Sequence, residues 1–234
     1  ARWDSSNVLF IFNQSNDLRF LLGKYSNGSG ADTITNSIIT SSNSITAGQW
    51  HFAVGSWRKI DTDTTELSLS LNGATPTTIQ HDLIVGTDKD VVIGSWGWGQ
   101  DPNHIRSYAG LIDQVRYYDK VLSNQEITDL YSATLNRQGY VTTNYPSKEL
   151  VRQYNTNVSI GSLATEEIGP GPIAYWKFDE GTGSAANDST SNANHGTING
   201  ATWQTEDQCV SGKCLSFNGT SDYIQVTDGT KNRP

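Results

Sequence analysis

Short apolar runs alternate with polar, turn-forming stretches along most of the chain. The runs at residues 9–12 and 18–22 are separated by Asn-Gln-Ser-Asn, a composition that is typical of turns. Residues 66–71 alternate leucine with polar side chains, which is the period of a strand with one buried face. The dipeptide Asn72-Gly73 follows at once and favours a tight hairpin. This pattern predicts many short antiparallel strands and an all-β fold.

One short helix is predicted where the first series of strands ends. Ser123 and Glu126 have the spacing of a capping box, in which each side chain bonds the backbone N–H of the other residue. Ile127, Leu130 and Tyr131 then provide one apolar face over about two turns. Because a helix this short is marginal alone, we expect it to pack on the sheets.

The chain divides into three segments by composition. Residues 1–131 carry the first strands and the helix, residues 132–172 are polar and end in Gly-Pro-Gly-Pro, and residues 173–234 return to short apolar runs. We expect the middle segment to be a linker or a strap over the surface. The sequence starts in mid-pattern without a signal peptide, so we expect it to be part of a longer or processed polypeptide.

Charge and hydropathy argue against nucleic acid as a partner and against a membrane-spanning segment. The net charge is −8, and the sequence contains no run of Lys or Arg, which argues against binding to nucleic acid. No apolar stretch approaches 18 residues, so no membrane-spanning segment is predicted. The 7 Trp, 10 Tyr and 6 Phe residues provide enough apolar area for a sizeable core. Trp50, Trp57, Trp176 and Trp203 are expected in that core, and residues 49–57 have the pattern of a buried strand.

The two cysteines lie five positions apart, at Cys209 and Cys214, on either side of a Ser-Gly turn. This spacing favours a disulfide that clips a hairpin in an oxidising compartment. The alternatives are two free thiols or half of a metal site. A metal site normally needs four ligands, and no second cysteine pair or histidine cluster completes one.

Two passages resemble the LamG-like jellyroll family of concanavalin A-like lectins. Residues 110–127, which begin Gly-Leu-Ile-Asp-Gln-Val-Arg-Tyr-Tyr-Asp, are similar to the family's closing strand and helix. Residues 174–181, Ala-Tyr-Trp-Lys-Phe-Asp-Glu-Gly, resemble its opening strand, and residues 195–203 and 215–224 continue that likeness. The resemblance implies an antiparallel β-sandwich of jellyroll type, with residues 1–131 as its closing part and 173–234 as its opening strands.

The two passages stand in the reverse of the family's order. The chain can be one period of a tandem array that is cut in mid-repeat. It can be a circular permutant in which residues 173–228 pack on residues 1–131 of the same chain. Alternatively, each half completes its sandwich with a neighbouring chain. Strands with unpaired edges aggregate, so residues 173–228 must pair with one of these partners.

Catalysis is not expected, although the related fold hosts glycoside hydrolases. Those enzymes carry paired carboxylates in a Glu-x-Asp-x-x-Glu pattern on one strand. That pattern is absent here, and Asp61, Asp63 and Glu66, which come nearest to it, belong to a Thr-rich loop before a strand.

The resemblance also implies a structural calcium ion where the opening and closing strands meet. Oxygen ligands suit this cation, and Asp113 is the leading candidate, followed by Asp179, the carbonyl of Gly219, and Asp222. The family often has Glu after the first of these residues, where this chain has Gln114. The alternative is that Asp113 only caps a turn or pairs with a nearby arginine.

A Trp-rich loop is the candidate ligand site. Trp96 and Trp98 alternate with glycines, and His104 and Tyr108 follow. Flat aromatic rings beside hydrogen-bonding groups suit a sugar, which stacks its apolar face and bonds through its hydroxyls. The alternative is that the tryptophans fill the core.

These observations predict a secreted, non-catalytic module at the cell surface that recognises a glycan or surface polysaccharide. The rival hypothesis is a structural subunit of a filament, pilus or repeat array, in which neighbouring copies share strands.

Overall fold

Two antiparallel sheets built from the first six strands pack face to face. The computed structural model describes residues 7–14, 17–24, 37–41, 45–82, 91–95, 108–138 and 171–226. The first sheet has the order β1-β2-β3 and the second the order β4-β5-β6. Their bounds are β1 Asn7–Gln14, β2 Asp17–Lys24, β3 Ser37–Ser41, β4 Ala53–Lys59, β5 Thr65–Leu71 and β6 Thr77–His81.

Alternation of leucine with polar residues determines which face of β5 is buried. Leu67 and Leu69 are buried and pack against Leu18 and Phe20 of β2 to form one core. Each such side chain contributes on the order of 1.5–3 kcal/mol through its removal from water. The strand ends at Asn72-Gly73, where both residues have positive φ (52° and 73°), as a primed turn requires.

Three further strands and the helix follow in the first segment. They are β7 (Val91–Ile93), β8 (Ala109–Ile112), β9 (Val115–Tyr117) and α1 (Asn124–Gln138). The capping box is confirmed, because the Glu126 N–H donates to Ser123 Oγ at 3.3 Å and the Ser123 N–H donates to Glu126 Oε2 at 2.7 Å. The helix docks through Ile127, which is buried. The predicted end near residue 131 is wrong, since the helix continues for two more turns.

The last segment contributes six short strands and a 3₁₀ turn at Glu206–Gln208. The strands are β10 Ala174–Trp176, β11 Ala185–Ala186, β12 Gly196–Asn199, β13 Thr202–Gln204, β14 Cys214–Asn218 and β15 Tyr223–Val226. Within this one chain, β10 pairs with β9, β14 with β8, and β15 with β7, all antiparallel. The two segments therefore build common sheets.

A second core lies between these shared sheets. It contains Trp176, Phe178, Leu215 and Ile224, each with less than 2% of its surface exposed. Ile93 of β7 belongs to the same cluster. Residues from the first and the last segment thus exclude water together, and this core forms only when the two segments meet.

Four tryptophans were expected in the core, and the structure divides them. Trp176 is buried, while Trp57 and Trp203 are half-buried and pack against the two cores. Trp50 belongs to neither core and lines a surface pocket, so that expectation was wrong.

The antiparallel β-sandwich with one helix is confirmed. The three-segment division at residues 131 and 172 stays a prediction, because most of the middle segment lies outside the described residues. The helix reaches Gln138 and so passes the first of those boundaries. Of the helices described, none combines the length and apolar character that crossing a membrane would need.

Candidate functional site

The predicted sugar-binding loop falls mostly outside the described residues. Trp96, Trp98 and His104 are not described, so their role as ligand contacts stays a prediction. Tyr108, which ends the loop, is 40% exposed and anchored by its N–H, which donates to the Gly94 carbonyl at 2.7 Å. Burial of part of the phenol raises its pKa. Tyr108 therefore stands at the surface, next to the segment that carries the other predicted contacts in the sequence.

Asp113, the leading calcium candidate, holds the backbone of the disulfide loop. Its Oδ2 accepts N–H groups from Val210 at 3.0 Å and Ser211 at 3.1 Å. Its Oδ1 is buried without a hydrogen-bond partner among the described residues. Burial is the main reason that the pKa of Asp113 rises to about 6, and the nearby Asp179 carboxylate adds to the rise. Of the two alternative roles predicted for Asp113, capping a turn fits these hydrogen bonds to backbone N–H groups better than pairing with an arginine.

Asp179 holds the same loop from its other side. Its Oδ1 accepts the Lys213 N–H at 3.0 Å, and the backbone of Gly212 passes so close that a Cβ there would lie 2.0 Å from this oxygen. Between the two aspartates, Cys209 and Cys214 form a disulfide with their Cα atoms 5.5 Å apart. The predicted disulfide is confirmed, and both carboxylates serve its loop.

Gly219 and Asp222 lie at the other end of β8. Asp222 Oδ2 accepts the Asn218 N–H at 3.0 Å, and Gly219 packs on Ala109, where a Cβ would meet the alanine Cβ at 2.7 Å. In the register of β14 with β8, Asn218 faces Ala109 whereas Leu215 faces Ile112. At about 3.3 Å per residue, the two ends of this ladder are roughly 10 Å apart.

The four predicted calcium ligands therefore do not form one site. A calcium ion binds its oxygens at about 2.3–2.6 Å, which a pair at each end of β8 cannot satisfy together. Within the described ranges, no cluster of three or more His, Cys, Asp or Glu residues could hold a metal ion. The structure does not bring Asp113, Asp179, Gly219 and Asp222 together at one point, and the binding of a calcium ion stays a prediction.

A pocket of about 220 Å³ lies where the first sheets, the helix and the disulfide loop meet. Sequence analysis missed it, because its walls come from segments far apart in the chain. The aromatic stretch Gln49-Trp50-His51-Phe52 was the available signal, and it was interpreted as a buried strand. The residues that define its chemistry are Trp50, Phe52, Asn72, Asp113, Arg116 and Tyr131.

A polar network fixes the cationic wall of this pocket. Arg116 stacks on the ring of Tyr175, with 4.4 Å between the guanidinium carbon and the ring centroid. Its Nη2 donates to Tyr175 Oη at 2.9 Å and to Gln114 Oε1 at 3.5 Å. The Tyr175 hydroxyl in turn donates to Gln114 Oε1. The guanidinium is therefore held in one orientation by two neighbouring side chains.

The carboxylates that came nearest to a hydrolase pattern have structural roles. Asp61 Oδ1 accepts the N–H groups of Asp63 and Thr64 at 2.9 and 2.8 Å, which closes a turn and lowers the Asp61 pKa. Glu66 lies in β5 and not in the predicted loop before it, and it pairs with Arg58 at 2.6 Å.

In the described part of the chain, the paired sheets, the docked helix and the disulfide-clipped hairpin form an antiparallel β-sandwich. Residues 2–128 match the family model of the concanavalin A-like lectin/glucanases superfamily. Since the match covers more than half of the sequence, the chain belongs to this superfamily. No curated protein and no solved structure matches it. Membership supports a binding module in general, although the superfamily also includes glucanases.

Proposed function

We propose that the chain is a non-catalytic, extracellular module that binds carbohydrate and serves recognition or adhesion within a larger surface protein. The observation that carries this proposal is the match of residues 2–128 to the lectin/glucanase superfamily. The disulfide supports an extracellular setting, because such bonds persist in oxidising compartments. The Asp61 carboxylate accepts a backbone N–H in a turn, and Glu66 forms an ion pair with Arg58. Because these carboxylates are engaged in structural contacts, they favour binding over hydrolysis.

The proposed ligand contacts include Trp96, Trp98, His104 and Tyr108. The exposure of Tyr108 supports this assignment, since an aromatic ring at the surface can stack on a sugar. Trp96 and Trp98 offer the same kind of ring, and in the sequence each is flanked by glycine, which carries no side chain.

A glycan array probed with the purified chain tests the proposal. We expect retention of a limited set of glycans, and a loss of about tenfold or more in the double variant Trp96→Ala/Trp98→Ala with an unchanged melting temperature. The matched control is Ile60→Ala, which removes an exposed apolar side chain of the β4–β5 turn. A wild-type chain that retains no glycan would contradict the proposal, and release of free sugar from a retained glycan would contradict the non-catalytic assignment.

A second function, assembly by strand sharing, is favoured by one observation. The strands β7, β8 and β9 are each completed by a strand of residues 171–226, which are far away in sequence. A neighbouring copy of the chain offers the same strands. If two copies exchanged residues 171–226, the pairs β10–β9, β14–β8 and β15–β7 would all be preserved.

Light scattering over a dilution series separates the two functions. A monomer at all concentrations means that each chain completes its own sheets, and it supports the binding module. Oligomers that persist on dilution mean that strands are shared between chains, and they favour the structural subunit.

A further inference from the structure

We infer that the pocket between Trp50, Tyr131 and Arg116 is a further glycan subsite that accepts one neutral pyranose ring. This inference rests on the proposed carbohydrate-binding function and concerns residues other than those of the Trp-rich loop. Three observations carry it: the origin and size of the pocket, the rigidity of its walls, and the balance of its charges.

The pocket lies at the junction of three parts of the chain. Trp50 precedes β4, Arg116 lies in β9 and Tyr131 in α1, and the disulfide loop closes the rim at Val210. Junctions between structural units are preferred places for ligand sites. The volume of about 220 Å³ is below the roughly 300–1,000 Å³ of pockets for drug-sized ligands, so it suits one ring rather than an oligosaccharide.

Two aromatic walls are fixed before any ligand arrives. The indole N–H of Trp50 donates to the Gln208 carbonyl at 3.2 Å. Tyr131 covers the backbone of Gly73, where a Cβ would lie 2.5 Å from its ring, and its ring centroid is 5.9 Å from that of Phe52. Rings held in this way lose little conformational entropy when a sugar packs against them.

The polar wall supplies hydrogen-bond donors in an equally fixed position. A guanidinium has five N–H donors, and the two hydrogen bonds of Arg116 described above both use Nη2. In the described part of the chain, the N–H groups on its Nε and Nη1 are thus left to solvent or to a ligand in the pocket. Asn72 is also held, since its Oδ1 accepts the Phe52 N–H at 2.9 Å.

The charges favour a neutral ligand. Asp113 and Arg116 line the same pocket, so an anionic sugar would approach the carboxylate and a cationic sugar the guanidinium. A neutral ring avoids both repulsions. Its hydroxyls can accept from Arg116 while its apolar face lies against Trp50 or Tyr131.

The test compares pocket variants on an array of neutral hexose-terminated glycans. Arg116→Met keeps the aliphatic stem and removes the donors, and we expect retention to fall about tenfold or more. Ile60→Ala is again the control and should bind as the wild type does. A melting curve of each variant identifies loss of folding.

A second measurement does not depend on the stability of a variant. Titration of the intact chain with the methyl glycosides of glucose, galactose and mannose should change its tryptophan fluorescence, and Trp50→Phe should lose the part of that change that remains in Trp96→Ala/Trp98→Ala. If the wild type retains glycans while Arg116→Met and Trp50→Phe behave like it, the subsite is wrong and the proposed function stands. If the wild type retains no glycan and shows no fluorescence change, both are wrong.

Discussion

The ring of Phe217 in β14 lies directly on the backbone of Gly94, so that a Cβ on the glycine would stand 2.2 Å from a ring carbon. This contact joins the first segment of the chain to the last. It exists only because residue 94 has no side chain and adopts a φ of 89°.

Gly94→Ala should therefore lower the free energy of unfolding by about 2–4 kcal/mol, through backbone strain and a clash with the ring. Urea unfolding measures the loss. Gly48→Ala is the matched control, because it has a similar φ of 79° with no atom within 4 Å of the added Cβ, and should lose only about 1 kcal/mol. Equal losses in the two variants would contradict the contact with Phe217.

Asp188 organises the loop that follows β11. Its carboxylate accepts N–H groups from Tyr175, Thr190 and Asn194, each at 2.9 Å, and it is almost fully buried. We expect Asp188→Ala to cost about 3 kcal/mol, since three buried N–H groups lose their acceptor. Chemical denaturation of Asp63→Ala, an exposed aspartate, gives the baseline and should change by less than about 0.5 kcal/mol.

The same carboxylate should make the fold sensitive to acid. Burial alone raises the pKa of Asp188, but the N–H donors outweigh it and hold the pKa below the usual 3.8. The stabilisation is present above pH 3.8 and disappears as the pH falls through the lower, folded value. Thermal melts between pH 2 and 5 should show a steeper acid loss in the wild type than in Asp188→Ala. Parallel curves would contradict this role.

Asp113 should act in the opposite direction. Its pKa is about 6 in the folded state and 3.8 unfolded, so between these values only the folded chain holds the proton. The contribution of Asp113 to the free energy of unfolding is largest below pH 3.8 and is lost as the pH rises through 6. The loss is on the order of 1 kcal/mol once solvent screening is considered. Asp113→Asn should remove this loss, whereas Asp119→Asn, an exposed control, should keep it.

The disulfide closes a short loop and should contribute accordingly. A six-residue loop is worth about 2 kcal/mol in the chain-entropy model. Because Asp113 and Asp179 also hold this loop, Cys209→Ala/Cys214→Ala should stay folded and lose about that amount in urea. Complete unfolding of the variant would show that the aspartates do not hold the loop alone.

Local patterns predicted the elements better than their ends. The alternation in residues 66–71 and the capping box at Ser123 depend on neighbours in sequence, and both predictions are confirmed. The predicted helix was shorter than the observed one. The signal for its true end was present, because Gly139 directly follows its last residue and glycine is a common helix terminator.

The sites were harder to predict, because they depend on contacts between distant segments. A motif places Asp113 after β8 but does not say which end of β14 it meets, so the sequence did not reveal that Gly219 and Asp222 lie at the other end of the ladder. The core position predicted for Trp50 was wrong, because its hydrogen-bond partner Gln208 is 158 positions away and does not show in the local pattern. Such contacts follow from sheet register, which a single sequence does not specify for strands in separate segments.

The pairing of β7, β8 and β9 with late strands also sets the order of events on the ribosome. Tyr117 leaves the ribosome about 100 residues before Val226, a delay of roughly 5–20 s at common rates of synthesis. During that time the nascent chain presents three strands without their partners, and such edges attract other chains. Residues 171–226 therefore determine how long β7, β8 and β9 remain open to other chains while translation proceeds.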